Sequence, residues 1–241
     1  MSDETPFAKP NRSGAKNVVK WHQNRKNKPA PAKPPNLYET NRSQINLDFC
    51  RNREYLLTNG LGGYSSSTIC GLNTRKYHGI LIRSDNNLKR WVGLLKLNEE
   101  FIIGKGKYPL MVDEYADGSR INGVKNLSAF SYNLNQATFK YDAAGVKITK
   151  TLSMIPGENA ALASYELENN SGFDCCLKIW PLTASRSIHS LCKGRADLST
   201  ENHAGHGVSV KSRDGYVFLF SQQMKFNIQE NTHQNLYYSM E

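Results

Sequence analysis

Between Val146 and Met154 the apolar residues Val146, Ile148, Leu152 and Met154 share one parity, and Lys147, Thr149, Thr151 and Ser153 share the other. Successive side chains of a strand point to opposite faces, so this two-residue period predicts a half-buried strand. Lys150 is its one violation. Ala161, Ala163, Tyr165 and Leu167 alternate in the same way with Ser164, Glu166 and Glu168 and predict a second strand. Turn chemistry separates such runs. Asp214-Gly215, between residues 208–212 and 216–220, supplies the positive φ of a tight hairpin. Asp117-Gly118, residues 142–145 and residues 169–172 are further turn signals. No window carries a sustained helical stripe with caps. The pattern predicts an all-β body over residues 37–241, a large antiparallel β-sandwich of a dozen or so strands.

The 241-residue chain is 39% hydrophobic and 22% charged, which is the composition of a water-soluble globular domain. No apolar run of about 18 residues exists to span a membrane, and the N-terminus lacks the apolar core of a secretory signal. The cytoplasm is the expected location. Five cysteines (Cys50, Cys70, Cys175, Cys176 and Cys192) are odd in number and scattered, and they read mostly as buried free thiols.

The formal net charge of +10 is unevenly spread. Residues 1–36 hold Lys9, Arg12, Lys16, Lys20, Arg25, Lys26, Lys28 and Lys33 against only Asp3 and Glu4. Rich in Lys, Asn and Pro, this stretch buries too little apolar surface to offset its ordering entropy and reads as a disordered basic leader. The body is only mildly basic, so neither a nucleic acid nor a membrane is expected as its partner.

The most distinctive stretch runs from Glu54 through Tyr55-Leu56-Leu57-Thr58-Asn59-Gly60-Leu61-Gly62-Gly63-Tyr64 into small hydroxylated residues and on to Asn73-Thr74-Arg75-Lys76-Tyr77-His78. Its glycines make a backbone hinge with little steric restriction. The concentration of Asn, Arg, Tyr and His in loops offers hydrogen bonds beside an aromatic face, which suits sugar hydroxyls among other polar partners. A dinucleotide fingerprint is excluded, because the third glycine position is Ser65 and no helical period follows.

With Asn73–Leu81, this opening resembles the signature of the bacterial and archaeal glycogen debranching enzymes, the amylo-alpha-1,6-glucosidase relatives. The likeness spans roughly residues 48–241. It continues through residues 97–100, 126–130 and 165–167, and returns at Pro181–Leu191, where relatives carry Arg-Asp-x-His and this chain has Arg186-Ser187-Ile188-His189. The terminal residues 237–241 are similar to the segment before an Arg-Gly pair that lies past Glu241. The resemblance implies a supersandwich, galactose-mutarotase-like N-terminal domain, cut off before the catalytic domain. It implies as partner a C-terminal (α/α) barrel, in cis or separately encoded, whose acids hydrolyse α-1,6 branches of glycogen-like α-glucan. No cofactor is implied.

Glycoside hydrolysis needs two carboxyl groups converging on one bond. Glu99-Glu100, Asp113-Glu114 and Asp117 are the candidates, but neighbours on a strand point apart, and all read as solvated, so no catalytic residue is assigned. Contact with substrate or the partner domain is expected from Asn59, Gly60, Gly62, Gly63, Tyr64, Arg75, Tyr77, His78, Arg186 and His189. A zinc site from His189, Cys192, His203 and His206 has suitable residue types but a poor spacing, and no metal is expected. The competing reading is a stand-alone α-glucan-binding or interaction module.

Overall fold

Alternating patterning builds strands almost throughout the computed structural model, which describes residues 34–191, 198–204, 206–212, 215–228 and 234–241. The basic leader falls almost wholly outside these residues, as do Cys192 and Asp214. In chain order the elements are β1 (Tyr38–Asn41), α1 (Leu47–Arg51), β2 (Glu54–Thr58), β3 (Tyr64–Thr68), β4 (Gly79–Ser84), β5 (Arg90–Ile103) and β6 (Gly106–Pro109). There follow β7 (Val112–Glu114), β8 (Arg120–Asn122), β9 (Leu127–Tyr132), β10 (Ala137–Ala143), β11 (Val146–Met154), β12 (Ala161–Asn169) and β13 (Cys175–Ser187). The series ends with β14 (Ser199–His203), β15 (Gly207–Ser212) and β16 (Gly215–Phe220). The short α1 is started by Asn46, whose Oδ1 accepts the Phe49 amide at 2.9 Å.

Two antiparallel sheets make the sandwich. One has the order β1-β9-β10-β11-β12; the other has β13-β5-β4-β3-β2, with β6 on β5. Tyr55 of β2 bridges them, its ring centroid 6.2 Å from Phe130 and 5.9 Å from Phe139. Around this aromatic centre the inward rows Val146, Ile148, Leu152 and Met154 of β11 meet Leu97, Phe101 and Ile103 of β5. The alternation expected of β11 is therefore its burial, and β12, an edge strand, half-buries Ala161, Ala163 and Tyr165. Leu167, on the same parity, stays exposed at that edge.

Lys150 breaks the alternation of β11 and is nonetheless buried. Its ammonium pairs with Glu99 of β5 inside the sandwich, and the Tyr165 hydroxyl donates to the same carboxylate at 2.7 Å. Asp113 is buried against Lys96 and accepts a hydrogen bond from Asn98 at 2.9 Å. Glu114 is buried between Arg51 and Arg120. The expectation that these acids are solvated is thus corrected. Sequence proximity shows which residues flank an acid, whereas these three meet their cations across strands.

The second sheet is covered on both faces. Opposite the main core, Ile82, Val92, Leu95 and Ile188 form a smaller cluster against which Tyr64, Tyr77 and Leu236 pack. The last described residues lie along this side: the amide of Tyr237 donates to the Glu114 carbonyl at 2.8 Å and that of Met240 to the Thr74 carbonyl at 3.0 Å. Cys50 and Cys70 are buried free thiols, as expected, whereas Cys175 is half-buried and Cys176 exposed on the edge strand β13.

Candidate functional site

The loop joining β2 to β3 is closed by one side chain. Asn59 Oδ1 accepts the amides of Leu61 at 2.9 Å and Gly63 at 3.0 Å, while its Nδ2 donates to the Glu158 carbonyl at 2.9 Å. Glu158 belongs to the turn between β11 and β12, so this Asn ties the two sheets together at one end. Gly60 and Gly62 take φ of 80° and 87°, which the L side chains rarely adopt. A Cβ on Gly63 would lie 2.6 Å from Asn59 Nδ2 and 2.9 Å from the Ile82 carbonyl oxygen. The glycine loop is therefore a clasp between sheets, with its polar groups largely engaged by the protein itself.

Tyr64, the first residue of β3, links this clasp to the second motif by donating its hydroxyl to the Tyr77 carbonyl at 2.8 Å. Residues 73–78 form a tight turn built around His78, which is almost fully buried. The Thr74 amide donates to His78 Nδ1 at 3.1 Å, so the neutral ring carries its proton on Nε2. Nε2 lies 3.3 Å from Glu54 Oε1, close enough for attraction but off the line of a good hydrogen bond. Arg75 Nε donates to that same oxygen at 2.9 Å. Burial holds the His78 pKa below its ordinary value, in spite of Glu54. For Glu54, burial opposes the charged form, but the Arg75 hydrogen bond and the charges of His78 and Arg75 prevail and hold the carboxyl low.

Arg186 locks the turn from β13. Its guanidinium donates to the carbonyls of Lys76 at 2.7 Å, Ser190 at 2.8 Å and Ser187 at 3.2 Å. Ser187, where relatives are expected to carry Asp, leaves Arg186 braced by carbonyl oxygens; Ser187 Oγ accepts the His189 amide at 3.3 Å. His189 sits edge-on to Tyr77, ring centroids 5.9 Å apart. Glu241 closes the arrangement: its Oε1 accepts the Lys76 amide at 3.0 Å and its Oε2 lies 3.1 Å from Lys76 Nζ.

The structure thus gathers Tyr64, Arg75, Tyr77, His78, Arg186 and His189 at one place, with Asn59, Gly60, Gly62 and Gly63 in the adjoining clasp. Glu54, Lys76 and Glu241 belong to the same knot and were not singled out from the sequence. Nothing in a linear reading marks an acid that meets its cation over such distances. Outward display falls to Arg75, the half-buried Tyr77 and the exposed His189. These offer a planar cationic donor, an aromatic ring and an imidazole above a rigid base, a combination suited to a protein interface or to polyhydroxylated ligands.

Among the described residues no group of three or more His, Cys, Asp or Glu is placed to hold a metal ion. His203, one of the residues considered for zinc, has its Nε2 3.0 Å from Ser209 Oγ. No helix among the described residues is long and apolar enough to cross a membrane.

Compared with known families, residues 53–241 match the one described as "Glycogen debranching enzyme N terminal". The matched stretch takes in the clasp, the 73–78 turn, Arg186 and His189. Neither the curated proteins nor the solved structures include a match.

Proposed function

The chain belongs to the glycogen debranching enzyme N-terminal family, and on that premise we propose that it is the non-catalytic β-sandwich half of a debranching system. In this reading it packs on a separate catalytic domain, an (α/α) barrel in cis or separately encoded, and shapes the approach of branched α-glucan to it. The observation that carries the reading is the knot at residues 73–78. Arg186 and Glu241 hold the backbone of Lys76, Glu54 holds the Arg75 side chain, and the buried His78 accepts the Thr74 amide within the turn, so that Arg75, Tyr77 and His189 face outward with little freedom left. Preorganised side chains of this kind lose less entropy on association than mobile ones.

The disposition of the acids supports the division of labour. Glu99, Asp113 and Glu114 are each buried against a cation from another strand, and Glu54 is engaged by Arg75. A hydrolase acid and its partner carboxylate must instead converge on substrate with room for a sugar ring between them. The acids for α-1,6 hydrolysis are accordingly supplied by the partner domain.

The test is a debranching assay on glycogen limit dextrin with the chain joined to, or mixed with, its catalytic domain. Arg75→Ala should lower turnover about tenfold, an interface-sized loss of about 1.4 kcal/mol. It should change the melting temperature little, because the Arg75–Glu54 pair is half exposed and such pairs contribute little to stability. Equal losses of activity and stability would reduce Arg75 to a brace. Glucose release from branched dextrin by the purified chain alone would overturn the reading itself.

A further inference from the structure

The three-stranded sheet β14-β15-β16 is hydrogen-bonded to neither sheet of the sandwich through its strands and contributes no residue to the site described above. Its inner side is occupied: Leu219 packs against the main core, and Val217 lies over Gly93 of β5, leaving only 3.0 Å to where a Cβ of that glycine would be. The outer side is aromatic. Tyr216, Phe218 and Phe220 lie on one face of β16 and are 70%, 51% and 59% exposed. Aromatic rows normally face a core, and a row left in water on a well-formed strand marks a surface that contacts something.

Register places polar residues beside two of the rings, Lys211 opposite Tyr216 and Ser209 opposite Phe218 with Glu201 beyond it, and Gly207 opposite Phe220. Phe218 and Phe220 are nearly parallel, 18° apart with centroids 6.4 Å from one another. Phe218 is fixed from two sides. His203 stands edge-on at 5.3 Å, and the ring rests on the backbone of Gly207, where a Cβ would come within 2.8 Å of it. Glu201 and Lys211 pair across the strands at 2.7 Å, so among its described residues the face carries one acid and one amine that neutralise each other. Among the described residues of the face, a charged partner would find no complementary field. A protein interface centre would normally be depleted of such charges.

We propose that this outer face is a non-catalytic docking surface for α-glucan chains. A pyranose presents C–H groups on its faces and hydroxyls around its rim, and it is uncharged. Parallel rings meet the C–H faces, and His203, Glu201 and Lys211 meet the hydroxyls. The inference rests on the glucan reading above but concerns a different surface, so the branched polymer is held at one place while the partner domain works at another.

The experiment is electrophoresis of the 241-residue chain in native gels with and without glycogen, with maltoheptaose as soluble competitor. The wild-type chain is expected to be retarded by glycogen and released by maltoheptaose. The Phe218→Ala/Phe220→Ala variant should weaken that binding about tenfold or more, and Phe218→Tyr/Phe220→Tyr should keep it. Circular dichroism and melting of each variant establish that the fold is retained. No retardation of the wild-type chain, or unchanged retardation of the folded double alanine variant, overturns the proposal. So does a wild-type dimer in sedimentation velocity that the alanine pair converts to monomer, since the face would then be covered by a second copy. Each of these failures leaves the Arg75 debranching assay to stand or fall separately.

Discussion

Lys150 breaks the sequence pattern of its strand, and its environment explains why the fold accepts it. The two-residue period marks it as misplaced because the pattern records only how water-loving a side chain is. Inside the sandwich its charge is met by Glu99, which is fixed in turn by the Tyr165 hydroxyl. A buried pair of this kind adds little compared with well-packed apolar residues, yet losing one member leaves the other charged and alone. Lys150→Met is therefore expected to destabilise the protein by about 3 kcal/mol in urea titration. Adding Glu99→Leu should recover most of that loss. If the double variant is no better than the single one, packing rather than charge governs the position. The violation at Lys150 was visible in the sequence; its partner was not, because Glu99 lies in another sheet and beside a second Glu that reads the same way.

At the level of elements, local chemistry reads well wherever a strand has one wet face. β11 and its hairpin with β10 are of this kind: Ala143 opposes Val146, and Ala144 and Gly145 take φ of 52° and 79°. β3 is not, for Ser65, Ser66, Ser67 and Thr68 are all buried. Their hydroxyl-rich run looks like a loop until the second sheet is seen to be covered on both sides, with Ser67 bonded to Asn73 and Thr68 to the Leu72 carbonyl. The glycine loop was legible as a backbone hinge, but its role was not, since the turn that Asn59 grips lies about a hundred residues away. Two substitutions separate hinge from clasp. Gly60→Ala meets open space and should cost only the left-handed backbone, about 1 kcal/mol. Gly63→Ala must push into Asn59 and the Ile82 carbonyl and should cost about 2 kcal/mol. Melting curves showing the reverse order would mean that Gly63 is not packed against Asn59 and β4.

Response to acid belongs to the whole molecule, because the titrating groups are also the tethers between distant segments. Glu54 comes from β2, Arg75 and His78 from the turn, and Glu241 from the terminal stretch, and His78 feels the charges of the other three. His78 is held below its ordinary 6.5 by burial, so on acidification the unfolded chain takes up a proton before the folded one does. Stability is then lost as pH falls below that value. Glu54 and Glu241 are held below their ordinary 4.5; burial opposes the shift in both, and Arg75 and Lys76 respectively outweigh it. Their contribution is present above 4.5 and disappears as pH falls toward the depressed values. The melting temperature should therefore fall in two stages, one beginning near neutrality and one below 4.5. His78→Gln, which can still accept a hydrogen bond but cannot titrate, should flatten the upper stage and shorten the lower one only in part, since Arg75 still holds Glu54 low. Glu54→Gln should shorten the lower stage and deepen the upper one, because it removes the carboxylate that partly offsets the burial of His78. A wild-type melting temperature constant from about pH 7.5 to 5 would show that His78 is protonated as readily in the fold as outside it, and the knot would then not be the closed arrangement that presents Arg75, Tyr77 and His189.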